Sequence, residues 1–126
     1  MDKHLDSVVI KDKIQRKELT LVYSQGDGIL SGLLQGMMEN RIKEARVEEV
    51  CGKIAEAVVN CMEGQKYKKI DLKDTEILRA SGNFKVTGDD LWGNLHVFTA
   101  GRKPVSGTMV KGTAAENFQL KLSFID

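Results

Sequence analysis

Residues 28–62 read Gly28-Ile-Leu-Ser-Gly-Leu-Leu-Gln-Gly-Met-Met-Glu-Asn-Arg-Ile-Lys-Glu-Ala-Arg-Val-Glu-Glu-Val-Cys-Gly-Lys-Ile-Ala-Glu-Ala-Val-Val-Asn-Cys-Met62, and what this stretch becomes decides the fold. Ile29, Leu30, Leu33, Leu34, Met37 and Met38 recur at helical spacing, and so do Val47, Val50, Cys51, Ile54, Ala55, Val58, Cys61 and Met62. At about 100° per residue the two apolar arcs are offset by roughly 120°. That offset predicts two helices, or one helix bent strongly between Glu39 and Ala45, with Gly64 as the closing glycine.

Gly28, Gly32 and Gly36 are spaced four apart in the first of these helices. A glycine inside a helix costs about 1 kcal/mol relative to alanine, so a repeated one needs a reason. With Leu30 set at about 0°, the apolar residues centre near about 20°, whereas the three glycines fall at roughly 160°, 200° and 240°. The bare stripe thus opposes the apolar face and predicts close approach by a second backbone, from a neighbouring helix or another subunit. The preceding loop, Ser24-Gln-Gly-Asp-Gly-Ile-Leu-Ser31, approximates the glycine pattern that receives a pyrophosphate at a helix N-terminus. Asp27 places a negative charge inside that loop, and no second parallel strand is expected before residue 63. A dinucleotide site is therefore not expected, and no Walker pattern occurs.

Outward from this centre the pattern turns to strands. Upstream, Ser7-Val-Val-Ile10 and Glu18–Ser24 suggest a hairpin, with Leu19, Leu21 and Tyr23 on one face. Lys69–Arg79 is ambiguous between strand and short helix. Beyond Ser81, glycines punctuate four β-type runs: Asn83–Thr87, Leu91–Ala100, Val105–Ala114 and Phe118–Ile125. In the last run Phe118, Leu120, Leu122 and Phe124 alternate with Gln119, Lys121 and Ser123, which predicts one-sided burial. The expected fold is α+β, a mostly antiparallel β-sheet of about five or six strands with two central helices packed on one face. It forms a single domain over 1–126, with a β-type N-terminal segment (1–28), a helical segment (29–63) and a C-terminal antiparallel meander (81–126).

Composition narrows the function. Nineteen Lys and Arg against eighteen Asp and Glu give a net charge of +1, and the balance also holds within 1–28, 29–80 and 81–126. A one-sided field for phosphate is missing, so duplex nucleic acid is disfavoured as a partner. Cys51 and Cys61 fall in one expected helix, roughly 15 Å apart along its axis, too far for a disulfide. Two free thiols point to a reducing compartment, the cytoplasm. The N-terminal residues show no signal-peptide pattern and no run is apolar enough for a membrane span, so no membrane partner is expected.

The strand Leu91–Ala100 carries the other candidate surface. Alternation puts Leu91, Leu95 and Val97 on one face and Trp92, Asn94, His96 and Phe98 on the other, with Arg102 close by in sequence. If the aliphatic face meets the helices, the only tryptophan is offered to a partner or a stacked ring. Neither a zinc-ligand spacing nor a required catalytic constellation occurs, and His96 is the one credible general base. The sequence therefore suggests a non-catalytic, self-associating protein-interaction module of the cytoplasm, with no cofactor and no metal. Its partner is itself or another protein, met through Gly28, Gly32 and Gly36, through Trp92, Asn94, His96, Phe98 and Arg102, or through both. The alternative is a small-ligand-binding domain or small enzyme with a pocket between sheet and helices near His96. A third reading is single-stranded nucleic-acid binding on the sheet face, aided by Arg102, Lys103 and Lys111.

Overall fold

A computed structural model describes residues 16–125. The expected strand at Ser7–Ile10 lies outside them. In chain order the elements are β1 (Arg16–Tyr23), α1 (Ile29–Glu39), β2 (Glu44–Cys51), β3 (Lys53–Glu63), β4 (Lys66–Thr87), β5 (Asp90–Gly93), β6 (His96–Thr99), β7 (Ser106–Ala114) and β8 (Phe118–Ile125). The strands form an eight-stranded sheet in the order β1-β8-β2-β4-β3-β7-β6, with β5 and β6 also paired to β4. Every pairing is antiparallel.

The 22-residue β4 organises this sheet. Its first part pairs with β3 from Glu63↔Lys66 to Lys53↔Glu76, and its last part with β2 from Val47↔Gly82 to Glu44↔Lys85. Its C-terminal half pairs with β6 and then β5. Because β6 also pairs with β7 and β7 with β3, a circuit of four strands closes. Where β5 gives way to β6 the backbones are in direct contact. A Cβ at Gly82 would run into the carbonyl of Asn94, and one at Gly93 into the carbonyl of Asn83.

This corrects the expected α+β fold of about five or six strands with two central helices: the described residues form eight strands and one short helix, α1, and Glu44–Glu63 is β-structure. The physical reason lies in irregular pairing. A register shift between Val47 and Glu49, the left-handed Gly52 (φ 115°) and another shift between Ile54 and Glu56 interrupt the two-residue alternation. The buried Val47, Ile54 and Cys61 consequently fall seven apart and imitate two helical turns. Plain strand alternation survives only in short pieces, Ala45 and Val47 in β2 and Ala57, Val59 and Cys61 in β3. The C-terminal strands do not form the expected meander either: Asn83–Thr87 is the end of the long β4, and the expected strand Leu91–Ala100 is broken into β5 and β6. β6 and β7 pair, whereas β8 crosses to lie between β1 and β2.

Helix α1 covers the inner face with Ile29, Leu33 and Met37, each at 0% exposure. Packed into the same core are Phe118, Leu120 and Leu122 of β8 and Ile54 and Val59 of β3. The helix ends at Asn40 in a Schellman-type closure. Arg41 is left-handed (φ 57°) and its N–H donates to the Met38 carbonyl at 3.1 Å, while the Ile42 N–H donates to that of Met37 at 2.8 Å.

What packs against the glycine stripe is not a second backbone but two side chains of β1 in the same chain. A Cβ on Gly32 would lie 2.5 Å from Cε2 of Tyr23, and one on Gly36 would lie 2.5 Å from Cδ2 of Leu21. Gly28 stands outside the helix as its extended N-cap (φ −66°, ψ 130°). The Tyr23 hydroxyl donates to the Ile29 carbonyl at 2.8 Å, and its ring meets Phe118 edge-on at 5.5 Å. The phenol thus ties β1, α1 and β8 together. Burial, and secondarily the charge of Asp27, push its pKa upward.

Two outcomes follow from this clamp. Gly32→Ala must displace a ring fixed at both ends and is expected to destabilise by about 1–3 kcal/mol. Gly36→Ala displaces only the tip of Leu21 while gaining helix propensity, so it stays within about 1 kcal/mol of the parent. Urea denaturation compares them, and equal losses would exclude the clamp. Since the Tyr23 pKa is raised on folding, its contribution is complete below the ordinary phenol value of 10.0 and is lost as pH rises above it. Tyr23→Phe should flatten the alkaline limb of a stability–pH curve and cost about 1 kcal/mol at neutral pH, measured by denaturant melts across pH 7–11.

Candidate functional site

The residues of β2, β4, β5 and β6 that point away from the core form a face with three adjoining depressions. On β4 the inward Ala80 and Phe84 are buried, leaving Arg79, Ser81, Asn83 and Lys85 exposed. On β6 the buried Val97 and Thr99 alternate with exposed His96 and half-buried Phe98. The pairing Arg79↔Phe98 and Ser81↔His96 places these side chains next to each other.

The first depression, about 590 Å³, is lined by Glu48, Leu78, Arg79, His96, Phe98 and Ser106 among others. The Arg79 guanidinium sits 4.8 Å from the centroid of the Phe98 ring, a cation–π contact. Nδ1 of His96 lies 3.0 Å from Oγ1 of Thr108. Leu78, 53% exposed, is the large apolar side chain this depression leaves in water. The second, about 560 Å³, is lined by Arg16, Glu44, Arg46, Lys85, Trp92 and Ile125 among others. A third, of about 400 Å³, joins them across Ser81, Asn83, Asn94 and His96.

The charges at this face are held in a network. Arg46 Nε donates to Glu48 Oε1, and Arg16 Nε donates to Ser123 Oγ at 3.2 Å. The hydrogen bond from Arg46 holds the Glu48 carboxyl below the ordinary carboxylate range. Desolvation opposes that shift, while the Ser123 hydroxyl and the charges of Arg46 and Arg16 add to it.

Of the residues singled out from the sequence, Trp92, Asn94, His96 and Phe98 do share the outward face. The break at Gly93–Leu95 assigns Trp92 to one depression and His96 with Phe98 to another. Arg102 stands in the β6–β7 turn and lines none of the three, and Gly28, Gly32 and Gly36 line a separate groove between β1 and α1. His96 points away from the core that α1 covers, so it does not border a pocket between sheet and helix. Sequence reasoning missed Arg16, Arg46, Leu78 and Arg79. Reading residues 45–62 as helix hid Arg46, and the ambiguity of Lys69–Arg79 hid the other two β4 residues. The signal available for Arg79 is the alternation that leads into Ser81 and Asn83; Leu78 is out of phase with it, beside a register shift between Ile77 and Arg79 that the sequence does not announce. Among the described residues, no three His, Cys, Asp or Glu side chains gather so as to hold a metal ion, and no helix is long and apolar enough to cross a membrane.

Residues 14–123 match the family model described as the Plants and Prokaryotes Conserved (PCC) domain. No curated protein matches the chain closely enough in sequence to be called a relative. Solved structures share the fold. A metal-containing protein from Archaeoglobus fulgidus is 19% identical with a TM-score of 0.70, covering 89% of this chain and 80% of its own. A plant- and prokaryote-conserved protein from Pyrococcus horikoshii is 16% identical with a TM-score of 0.72, covering 90% and 82%. A "Putative DNA-binding protein" from Ralstonia eutropha JMP134 is 14% identical with a TM-score of 0.68, covering 94% and 85%.

If the outward face serves contact rather than folding, its side chains are dispensable for stability. Trp92→Ala and Leu78→Ala are each expected to shift unfolding free energy by less than about 0.5 kcal/mol, whereas Leu122→Ala in the core costs about 2–5 kcal/mol. Thermal or urea melts decide between these values.

Proposed function

The chain belongs to the Plants and Prokaryotes Conserved (PCC) domain family, and on that premise we propose a non-catalytic protein-interaction module that associates with a second copy of itself. The contact is made by the depression around Leu78, Arg79, His96 and Phe98. The observation that carries this reading is an exposed Leu78 beside a half-buried Phe98 in a shallow depression bordered by both Arg79 and Glu48. A central apolar anchor with an arginine and a charged rim is the make-up of a protein interface. The presence of both signs suits a two-fold contact, in which each patch meets its own copy. The free thiols Cys51 and Cys61 are in keeping with a reducing compartment such as the cytoplasm.

Light scattering is expected to give at least twice the mass of one chain at micromolar concentration. Leu78→Asp should bring it to a single chain while leaving the melting temperature within a few degrees. A wild-type protein that remains a single chain at high concentration overturns the proposal.

A second reading, single-stranded nucleic-acid binding, is favoured by a specific observation. Arg16, Arg46 and Lys85 line one depression together with Trp92, and a protein of the same fold is described as a putative DNA-binding protein. Glu44 on the same depression and Glu48 beside Arg46 work against a long phosphate track. Anisotropy with a labelled oligonucleotide tests it: binding should weaken steeply between 50 and about 200 mM salt. Salt-independent binding, or none, removes this reading.

A further inference from the structure

The second depression, between β1, β2, β4 and β5, shares no lining residue with the self-association surface, and its two ends differ in chemistry. At one end Arg16 is held by Ser123, Nε donating to the hydroxyl at 3.2 Å and Nη2 to the carbonyl at 3.5 Å. Arg46 is held through Nε by Glu48. Both guanidinium groups are fixed on one edge, and Nη atoms remain for a ligand. Lys85 is 4.0 Å from Glu44. Among the described residues that line this depression or bond to its lining, Arg16, Arg46 and Lys85 stand against the carboxylates of Glu44 and Glu48, a surplus of positive charge for an anion.

At the other end stands Trp92, 61% exposed, next to Gly93, which adds no side chain to the wall. The pairings Arg46↔Asn83 and Lys85↔Trp92 put Arg46 and Trp92 on opposite sides of β4. Strands two apart are separated by about 10 Å, and Asn83 occupies the floor between them. A depression of about 560 Å³ lies in the usual range for a small-molecule site.

We propose that this depression binds a phosphate-bearing aromatic unit, a nucleoside monophosphate or one nucleotide of a single strand. The phosphate lies on Arg16 and Arg46, the base stacks on the Trp92 indole, and the Asn83 amide faces the base edge. Paired guanidinium donors suit the anion, and an exposed indole suits any base.

Trp92 is the only tryptophan, so its fluorescence reports on the site directly. Adenosine monophosphate should quench it saturably, and Arg46→Gln should weaken that binding about tenfold or more with the melting temperature retained. Adenosine alone and inorganic phosphate should each bind at least tenfold more weakly than the nucleotide. By calorimetry, Trp92→Leu should weaken nucleotide binding about tenfold. A short oligothymidylate titrated in parallel identifies the source: tighter binding than the nucleotide assigns the site to a strand, weaker binding to free nucleotide. The Leu78→Asp variant keeps the site, so its retained binding separates this proposal from self-association. Absence of saturable quenching by both nucleotide and oligonucleotide, or binding indifferent to Arg46→Gln, overturns the proposal.

Discussion

One long strand constrains everything else. β4 runs unbroken through 22 residues, while its partners on each edge come in two pieces, β3 and β2 on one side and β6 and β5 on the other. The partners break at Gly52 on one edge and at the Gly93–Leu95 step on the other. β4 is also the floor of the outward face, since Arg79, Ser81, Asn83 and Lys85 between them border all three depressions. Fold and candidate site thus share a single long strand.

How much of this could be read from residues depends on how regular the pairing is. β8 is legible as a strand because Phe118, Leu120 and Leu122 alternate and are all buried, although the expected one-sidedness fails at its end, where Ser123 is buried and Phe124 only partly so. α1 was legible for the matching reason, an unbroken helical arc through Ile29, Leu33 and Met37. Residues 44–63 were not, because local bulges are set by the partner strands β4, β7 and β8, which a short window of sequence does not contain. The run of Val47, Val50, Ile54, Val58 and Val59, rich in β-branched side chains, favoured a strand over the periodicity that was followed.

The site was legible in part for similar reasons. Trp92, His96 and Phe98 could be placed on one face from alternation alone. The arginines that give that face its charge could not, since Arg46 reaches it through the pairings Arg46↔Asn83 and Arg46↔Ser123 and Arg16 through Arg16↔Ile125. The glycine stripe is expected from the sequence to admit a second backbone, from a neighbouring helix or another subunit, whereas the Tyr23 ring and the Leu21 side chain fill it. Alternation groups Leu19, Leu21 and Tyr23 on one face of β1, but nothing local says that β1 would be the element to fold over the helix.

The position of β8 between β1 and β2 carries a consequence for the order in which the chain can be completed. Chains are synthesised from the N-terminus, and β1 and β2 are made early yet never pair with each other. Both wait for Phe118–Ile125, the last strand described, to bridge them. Arg16 and Ile125 end as direct neighbours, so this part of the sheet closes over nearly the whole chain. Such a long closure is entropically costly and slow compared with the local hairpin of β3 and β4. A nascent chain that has not yet reached Phe118 can build the hairpin but leaves one edge of β1 and one of β2 bare, so the arrival of β8 is what ends the exposure of these two edges to aggregation.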